Sequence, residues 1–203
     1  MLLNIPNPGY EIEIRGLLSA ADRIRVEELL ESEGTETSGE QDRESYVFEL
    51  QEGSLDLRVR KVDKHPELVL KCGRERLAII RWKHTLRLHD DLALGEVLDF
   101  VSYYGYTKGR IISRRYKTYA YRGYKIVLAT VPQASQFNYF EIEASTTDYA
   151  KACRFAESID GIACELGVTP FSSSDEYRAY LKAIDKANVD PEYRHDLARK
   201  AAV

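Results

Sequence analysis

Apolar and polar positions begin to alternate at residue 9. In GYEIEIRGLL, Tyr10, Ile12 and Ile14 take one parity, and Glu11, Glu13 and Arg15 take the other. A period of two is the signature of a β-strand. The same period returns in YVFEL (46–50), SLDLRVRKV (54–62), ELVLKCG (67–73), RLAIIRWKHTLRL (76–88), GRIISRRYKTYAY (109–121), YKIVLATV (124–131) and FNYFEIEAS (137–145). Only Arg122 and Gly123 separate two of these runs, which marks a hairpin. TETSGEQDRES (35–45) has no apolar period and reads as a polar, acidic loop.

Helical spacing fills the rest. Ser19 can cap a helix carrying Ile24, Leu29 and Leu30, and Gly34 can stop it. Residues 90–105 read as a helix with Asp90 or Asp91 as N-cap and Gly105 as stop. Thr147 can cap a third, whose stripe is Ala152, Ala156, Ile159, Ala163 and Leu166. Residues 172–203 predict one or two more helices, broken around Asp190 and Pro191. The expectation is an α+β chain with about eight strands, mostly sequence neighbours and so antiparallel.

The second face of these strands is ionic. Glu11, Glu13, Arg15, Arg58, Arg60, Lys71, Arg81, Lys83, Lys125, Glu141 and Glu143 all stand at strand-compatible alternate positions. An open sheet would turn this face to water. A closed barrel would turn it into a lumen. A merely solvated face would also use Ser, Thr and Gln, which are scarce here. A lumen lined this way offers Lys and Arg to phosphate oxygens and carboxylates to a divalent cation.

Composition narrows the function classes. The chain has 203 residues and a net charge of -4, so no global basic field points to nucleic acid or an anionic membrane. No apolar run approaches the ~20 residues of a membrane span, and MLLNIPNPGYE is too short and polar for a signal peptide. Cys72, Cys153 and Cys164 show no CxxC spacing and read as buried thiols in a reducing compartment, so a cytoplasmic location is expected. His65, His84, His89 and His195 are scattered without metal spacing, and no phosphate-loop, nucleophile-elbow or zincin motif occurs.

Five short motifs in one order then resemble a known family. Glu11-Ile-Glu13-Ile-Arg15 matches the ExExK signature of the CYTH, or triphosphate tunnel metalloenzyme, family. LRVR (Arg58, Arg60), LVLK (Lys71), SRRYK (Arg115, Lys117) and Glu141-Ile-Glu143 follow in the family's order across residues 9–145. The family includes thiamine triphosphatases, inorganic triphosphatases and class IV adenylyl cyclases. The resemblance implies an eight-stranded antiparallel β-barrel, a tunnel, with helices packed outside. It implies a tunnel domain over 1–170 and a C-terminal helical extension over 171–203 packed on the barrel.

The implied activity is divalent-metal-dependent hydrolysis of a triphosphate. The alternatives are a non-catalytic binding module for polyphosphate or a phosphorylated ligand, and a class IV-type adenylyl cyclase. The implied metal, Mg²⁺ or Mn²⁺, falls to Glu11, Glu13, Glu141 and Glu143. Phosphate binding falls to Arg15, Arg58, Arg60, Lys71, Arg81, Lys83, Arg115, Lys117 and Lys125, and catalysis to Glu13, Glu141 and Arg15. The implied partner is a small triphosphate-containing molecule, with neither membrane nor nucleic acid; a homodimer is left open. Three departures matter. Arg15 stands where the family keeps a lysine, and arginine cannot serve as a base near neutrality. Ala129 stands where an aspartate is usual. Arg81 and Lys83 occupy a strand that usually carries an acid. More bases and fewer acids favour anion binding over metal binding.

Overall fold

The structure, a computed structural model, describes residues 9–48, 55–62, 65–72, 80–89, 92–132 and 134–195. Its strands are β1 (Gly9–Leu17), β2 (Thr35–Phe48), β3 (Leu55–Val62), β4 (His65–Cys72), β5 (Ile80–Arg87), β6 (Lys108–Tyr121), β7 (Tyr124–Thr130), β8 (Tyr139–Thr146) and the short β9 (Glu192–Arg194). Its helices are α1 (Ala20–Glu33), α2 (Leu94–Ser102), α3 (Tyr149–Glu165) and α4 (Ser174–Lys186).

Hydrogen bonding runs β2-β3-β4-β5-β1-β8-β7-β6, and β2 also pairs with β6, so the first eight strands close into an antiparallel barrel. Closure removes the free edges that an open sheet would present. β9 adds to the far side of β6, at Lys108–Arg110. The closing strand is the segment expected as a loop at 35–45. It forms most of a 14-residue strand, with two register shifts between Glu36 and Gln41. Its outward side chains face solvent, so it needs no apolar face; backbone pairing with β6, joined by β3 from Arg43 on, makes it a strand.

Outward-facing side chains meet the helices. Ile12, Ile14, Tyr119, Ile126, Leu128, Phe140 and Ile142 pack with Val26 and Leu30 of α1 and with Ile159, Ile162 and Leu166 around α3. Leu57 and Val59 pack under Val97, Leu98 and Val101 of α2. Ser19 caps α1 and Gly34 closes it, as expected. The cap of α3 is Asp148 rather than Thr147. Its carboxylate accepts from Lys151 N–H, and Thr146 Oγ1 already braces Asp148 N–H. In the β6–β7 hairpin, Arg122 and Gly123 have φ of 49° and 83°. Two positive-φ residues are what a two-residue hairpin turn requires.

Three further expectations change. α2 spans 94–102, and Asp90 and Asp91 lie outside the described residues. Cys164 is exposed and Cys72 and Cys153 are half-buried, so the thiols are not core residues. Beyond Pro191 the chain forms strand β9 rather than a helix; the rest of the expected last helix, from 196 on, lies outside the described residues.

The C-terminal segment docks at one end of the barrel. Phe171 N–H bonds Arg15 O at 2.9 Å. A Cβ on Gly16 would lie 2.3 Å from Thr169 O, so only glycine lets this segment approach β1. Phe171, Tyr177 and Tyr180 then pack on one another, with ring centroids 5.3–6.1 Å apart.

Candidate functional site in the tunnel

The barrel encloses a cavity of about 170 Å³. Nine cationic side chains line it: Arg15, Arg43, Arg58, Arg60, Lys71, Arg81, Lys83, Arg114 and Lys125. Four carboxylates line it as well, from Asp56, Glu141, Glu143 and Asp190. Glu11 and Glu13 stand in the wall, 1% and 5% exposed. The cations therefore exceed the carboxylates by three, in a space removed from bulk water.

Strand parity places each of these groups. On β1, Glu11, Glu13 and Arg15 turn inward while Ile12 and Ile14 turn to the helices. Glu13 faces Glu143 directly across β1–β8, and Arg15 faces Glu141. Like charges opposite one another are unfavourable unless something between them compensates. The compensation comes from β4, β5 and β7. Glu11 accepts from Lys71 at 2.6 Å and Lys83 at 2.5 Å. Glu13 accepts from Arg81 at 2.8 Å and from Arg15, with Lys71 at 3.4 Å. Lys125 binds Glu143 at 2.7 Å. Arg58 is held by Asp56 of its own strand, and Arg60 by Glu67 at 2.8 Å.

The lattice sets proton affinities. Burial alone would raise the Glu11 carboxyl, but Lys71 and Lys83 draw it down to about 2. Burial pushes the Lys71 ammonium down to about 7; Glu11 opposes this, while Arg58, Lys83 and Arg81 add to it. The two partners shift the same way because burial and three cationic neighbours outweigh Glu11 at Lys71, while the cations that meet Glu11 outweigh its burial. Glu143, despite burial, is held well below the usual carboxylate range by Lys125, Lys83 and Lys71. Burial would lower Arg15, but Tyr177, Glu141 and Tyr139 hold it above its ordinary value.

One carboxylate oxygen from each of Glu11, Glu13 and Glu143 lies within 4.8 Å of the others. Hard oxygen donors in that cluster suit Mg²⁺ or Mn²⁺, which also keep water or phosphate ligands. Glu141, expected in the same set, stands apart on Arg15 at 3.3 Å.

The other end of the lumen is aromatic and apolar around one buried ion pair. Ala129 is fully buried among Tyr116, Val127, Val131 and Tyr139, with Phe137, Tyr180 and Val189 against them. Tyr116 and Tyr139 hydroxyls share a hydrogen bond of 3.1 Å. Arg114 forms a bidentate pair with Asp190, at 2.8 and 2.9 Å, and both are buried. Arg15 donates to the Tyr177 hydroxyl at 3.1 Å and lies over its ring. Thus α4 and the turn after it supply one wall of the cavity, rather than cover for the outer barrel face.

Of the nine phosphate-binding residues expected, Arg15, Arg58, Arg60, Lys71, Arg81, Lys83 and Lys125 come together around the cavity. Arg115 and Lys117 do not. Arg115 is exposed and pairs with Asp42 at 3.0 Å, and Lys117 reaches Glu31 of α1 at 3.0 Å. The inward side chains of β6 are Ile112, Arg114 and Tyr116. Arg43 was hidden in the supposed loop. It lies over the Tyr116 ring at 4.5 Å, and no carboxylate pairs with it among the described residues.

This geometry meets a clear structural likeness. A candidate adenylate cyclase from Vibrio parahaemolyticus superposes with a TM-score of 0.67 at 12% identity, over 85% of this chain and 98% of that one. The chain has the tunnel fold. A Pyrococcus horikoshii protein superposes at 0.62 with 19% identity, over 78% and 91%. A chain in the Schizosaccharomyces pombe Mediator head module superposes at 0.54 with 14% identity, over 78% and 94%. No family model and no curated protein sequence matches the chain. The CYTH resemblance read from the five motifs holds at the level of the fold, and a candidate adenylate cyclase and a Mediator head-module chain share that fold. Function must therefore be argued from the site.

Proposed function

We propose that the tunnel binds a triphosphate and hydrolyses one of its phosphoanhydride bonds with the help of a divalent metal ion. The observation that carries this reading is the charge inventory of the cavity, nine cations against four lining carboxylates, with a three-carboxylate cluster in the same wall. Arg58, Arg60 and Arg81 can each meet phosphoryl oxygens with two donors, and Lys71 and Lys83 act as point charges beside them. Phosphoryl transfer needs mainly alignment and charge stabilisation, which such a set supplies. Glu11, Glu13 and Glu143 would hold Mg²⁺ or Mn²⁺, which would neutralise charge on the phosphoryl oxygens. Glu141, on the lining with Arg15 as its partner, would orient the attacking water, and Arg15 would steady the transferred group. Cyclisation of ATP would also need a slot for adenine. Among the described residues the aromatic wall offers no such slot, because Phe171, Tyr177 and Tyr180 are packed on each other.

A second reading is recognition without turnover. It is favoured by one observation: Glu11 and Glu13 are each already engaged by several cations. Phosphate release from tripolyphosphate, ATP and thiamine triphosphate, each with Mg²⁺, Mn²⁺ or EDTA, separates the two. Hydrolysis predicts metal-dependent release that Glu143→Gln abolishes. Ligand-induced stabilisation without release at any metal supports the binding module instead.

A further inference from the structure

We propose that the tunnel's own cations seal its carboxylates, so that Glu11 and Glu13 become available to a divalent cation only once a phosphate anion has drawn Lys71, Arg81 and Lys83 away. This inference rests on the reading that the tunnel binds a triphosphate. It concerns the order and coupling of binding at that site.

The argument begins with register. Lys71 and Lys83 are directly opposite on β4 and β5. Two ammoniums so placed repel, and Glu11 is the counter-ion that holds them, at 2.6 and 2.5 Å. Arg81 bridges the two acids, 2.8 Å from Glu13 and 3.4 Å from Glu11. A metal ion arriving alone would add two positive charges where three cations already meet the same oxygens. It would also have to strip those cations from the carboxylates that they are bonded to, in a wall where unpaired charge is costly.

An arriving phosphate chain reverses the balance. It offers new acceptors to Lys71, Arg81 and Lys83, and it reduces the positive excess. Arg81 is prepared for this: the residue is 6% exposed, lies on the cavity, and its buried Nε has no hydrogen-bond partner among the described residues. A donor left free at that position points to an acceptor that comes from outside the chain. As the cations turn to phosphate, the Glu11 and Glu13 oxygens are released. Linkage makes the coupling mutual: the anion raises metal affinity by the same factor as the metal raises anion affinity.

The test separates the two bindings. Calorimetry with tripolyphosphate in EDTA reads the anion alone. Electron paramagnetic resonance of free Mn²⁺, without anion, reads the metal alone in the wild type, Lys83→Met, Arg81→Met and Arg115→Met. Arg115→Met removes an outside positive charge and controls for net charge. The expected result is tripolyphosphate binding in EDTA, with Mn²⁺ uptake at least tenfold tighter in Lys83→Met or Arg81→Met than in the wild type or Arg115→Met. Equal Mn²⁺ affinity in all four, with tripolyphosphate still binding, overturns the seal but leaves the triphosphate reading standing. Tripolyphosphate that fails to bind with or without Mn²⁺ removes that reading, and the proposal with it.

Discussion

Replacing Asp190 by asparagine probes the link between the C-terminal segment and the lumen. Asp190 and Arg114 are 6% and 4% exposed and joined by two hydrogen bonds of 2.8 and 2.9 Å. The variant keeps the shape and removes the charge, which leaves the Arg114 guanidinium buried without a counter-ion. Breaking such a pair costs about 3–5 kcal/mol, and asparagine, which still accepts one hydrogen bond, belongs at the lower end. For a domain of this size each kcal/mol moves Tm by about 2–4 °C. The expected loss is therefore about 6–12 °C in a thermal melt. Because Asp190 lines the cavity, the same change adds one net positive charge there. Tripolyphosphate should then restore more stability to Asp190→Asn than to the wild type. Replacing both partners, Arg114→Met with Asp190→Leu, should recover most of the loss. A single variant that melts within about 2 °C of the wild type would refute the claim that this charge is buried and matched, since an exposed pair is worth little.

Other outcomes follow from the same geometry. Arg58→Ala should weaken tripolyphosphate binding about tenfold or more by calorimetry, the worth of a charge-assisted hydrogen bond, whereas Arg115→Ala and Lys117→Ala should leave it unchanged because their side chains lie outside the barrel. Gly16→Ala should lower the melting temperature through about 1–3 kcal/mol of overpacking, because its Cβ meets Thr169 O and the Phe140 ring. Glu11, near 2 in the fold against an ordinary 4.5, contributes stability that is present above about pH 4.5 and lost as pH falls toward 2. Lys71 works in the same sense at higher pH: between pH 7 and 10.5 the unfolded chain holds a proton that the folded one has released, so stability rises with pH across that window too. Denaturant titrations from pH 6 to 10 should show that rise in the wild type and lose it in Lys71→Met.

Much of the barrel could be read from strand alternation. β1, β3 and β8 each carry mainly apolar residues at one parity and charges at the other, so their lumen-facing charges were identifiable one by one. β6 could not be phased this way. Ile111 and Ile112 are adjacent, and Ser113, Arg114, Arg115 and Lys117 put polar groups on both faces. Family spacing then favoured Arg115 and Lys117, whereas packing placed Arg114 and Tyr116 inside. The 35–45 part of β2 was missed because its solvent face and its lumen face are both polar, leaving no alternation to detect; Arg43 was lost with it. The aromatic wall was beyond reach for another reason. Tyr177, Tyr180, Leu181 and Ile184 have the spacing of an ordinary amphipathic helix, and periodicity cannot say which surface that helix will cover. The close approach at Gly16 decides it, and no local pattern announces a contact with Thr169.

A crystal structure of the protein with tripolyphosphate would test the central claim most directly. The account predicts density for the anion inside the barrel, with phosphoryl oxygens within hydrogen-bonding distance of Arg58 and Arg81 and with Lys83 drawn off Glu11. An empty lumen at saturating tripolyphosphate, or an anion seated only on Arg115 and Lys117 at the outer surface, would contradict it.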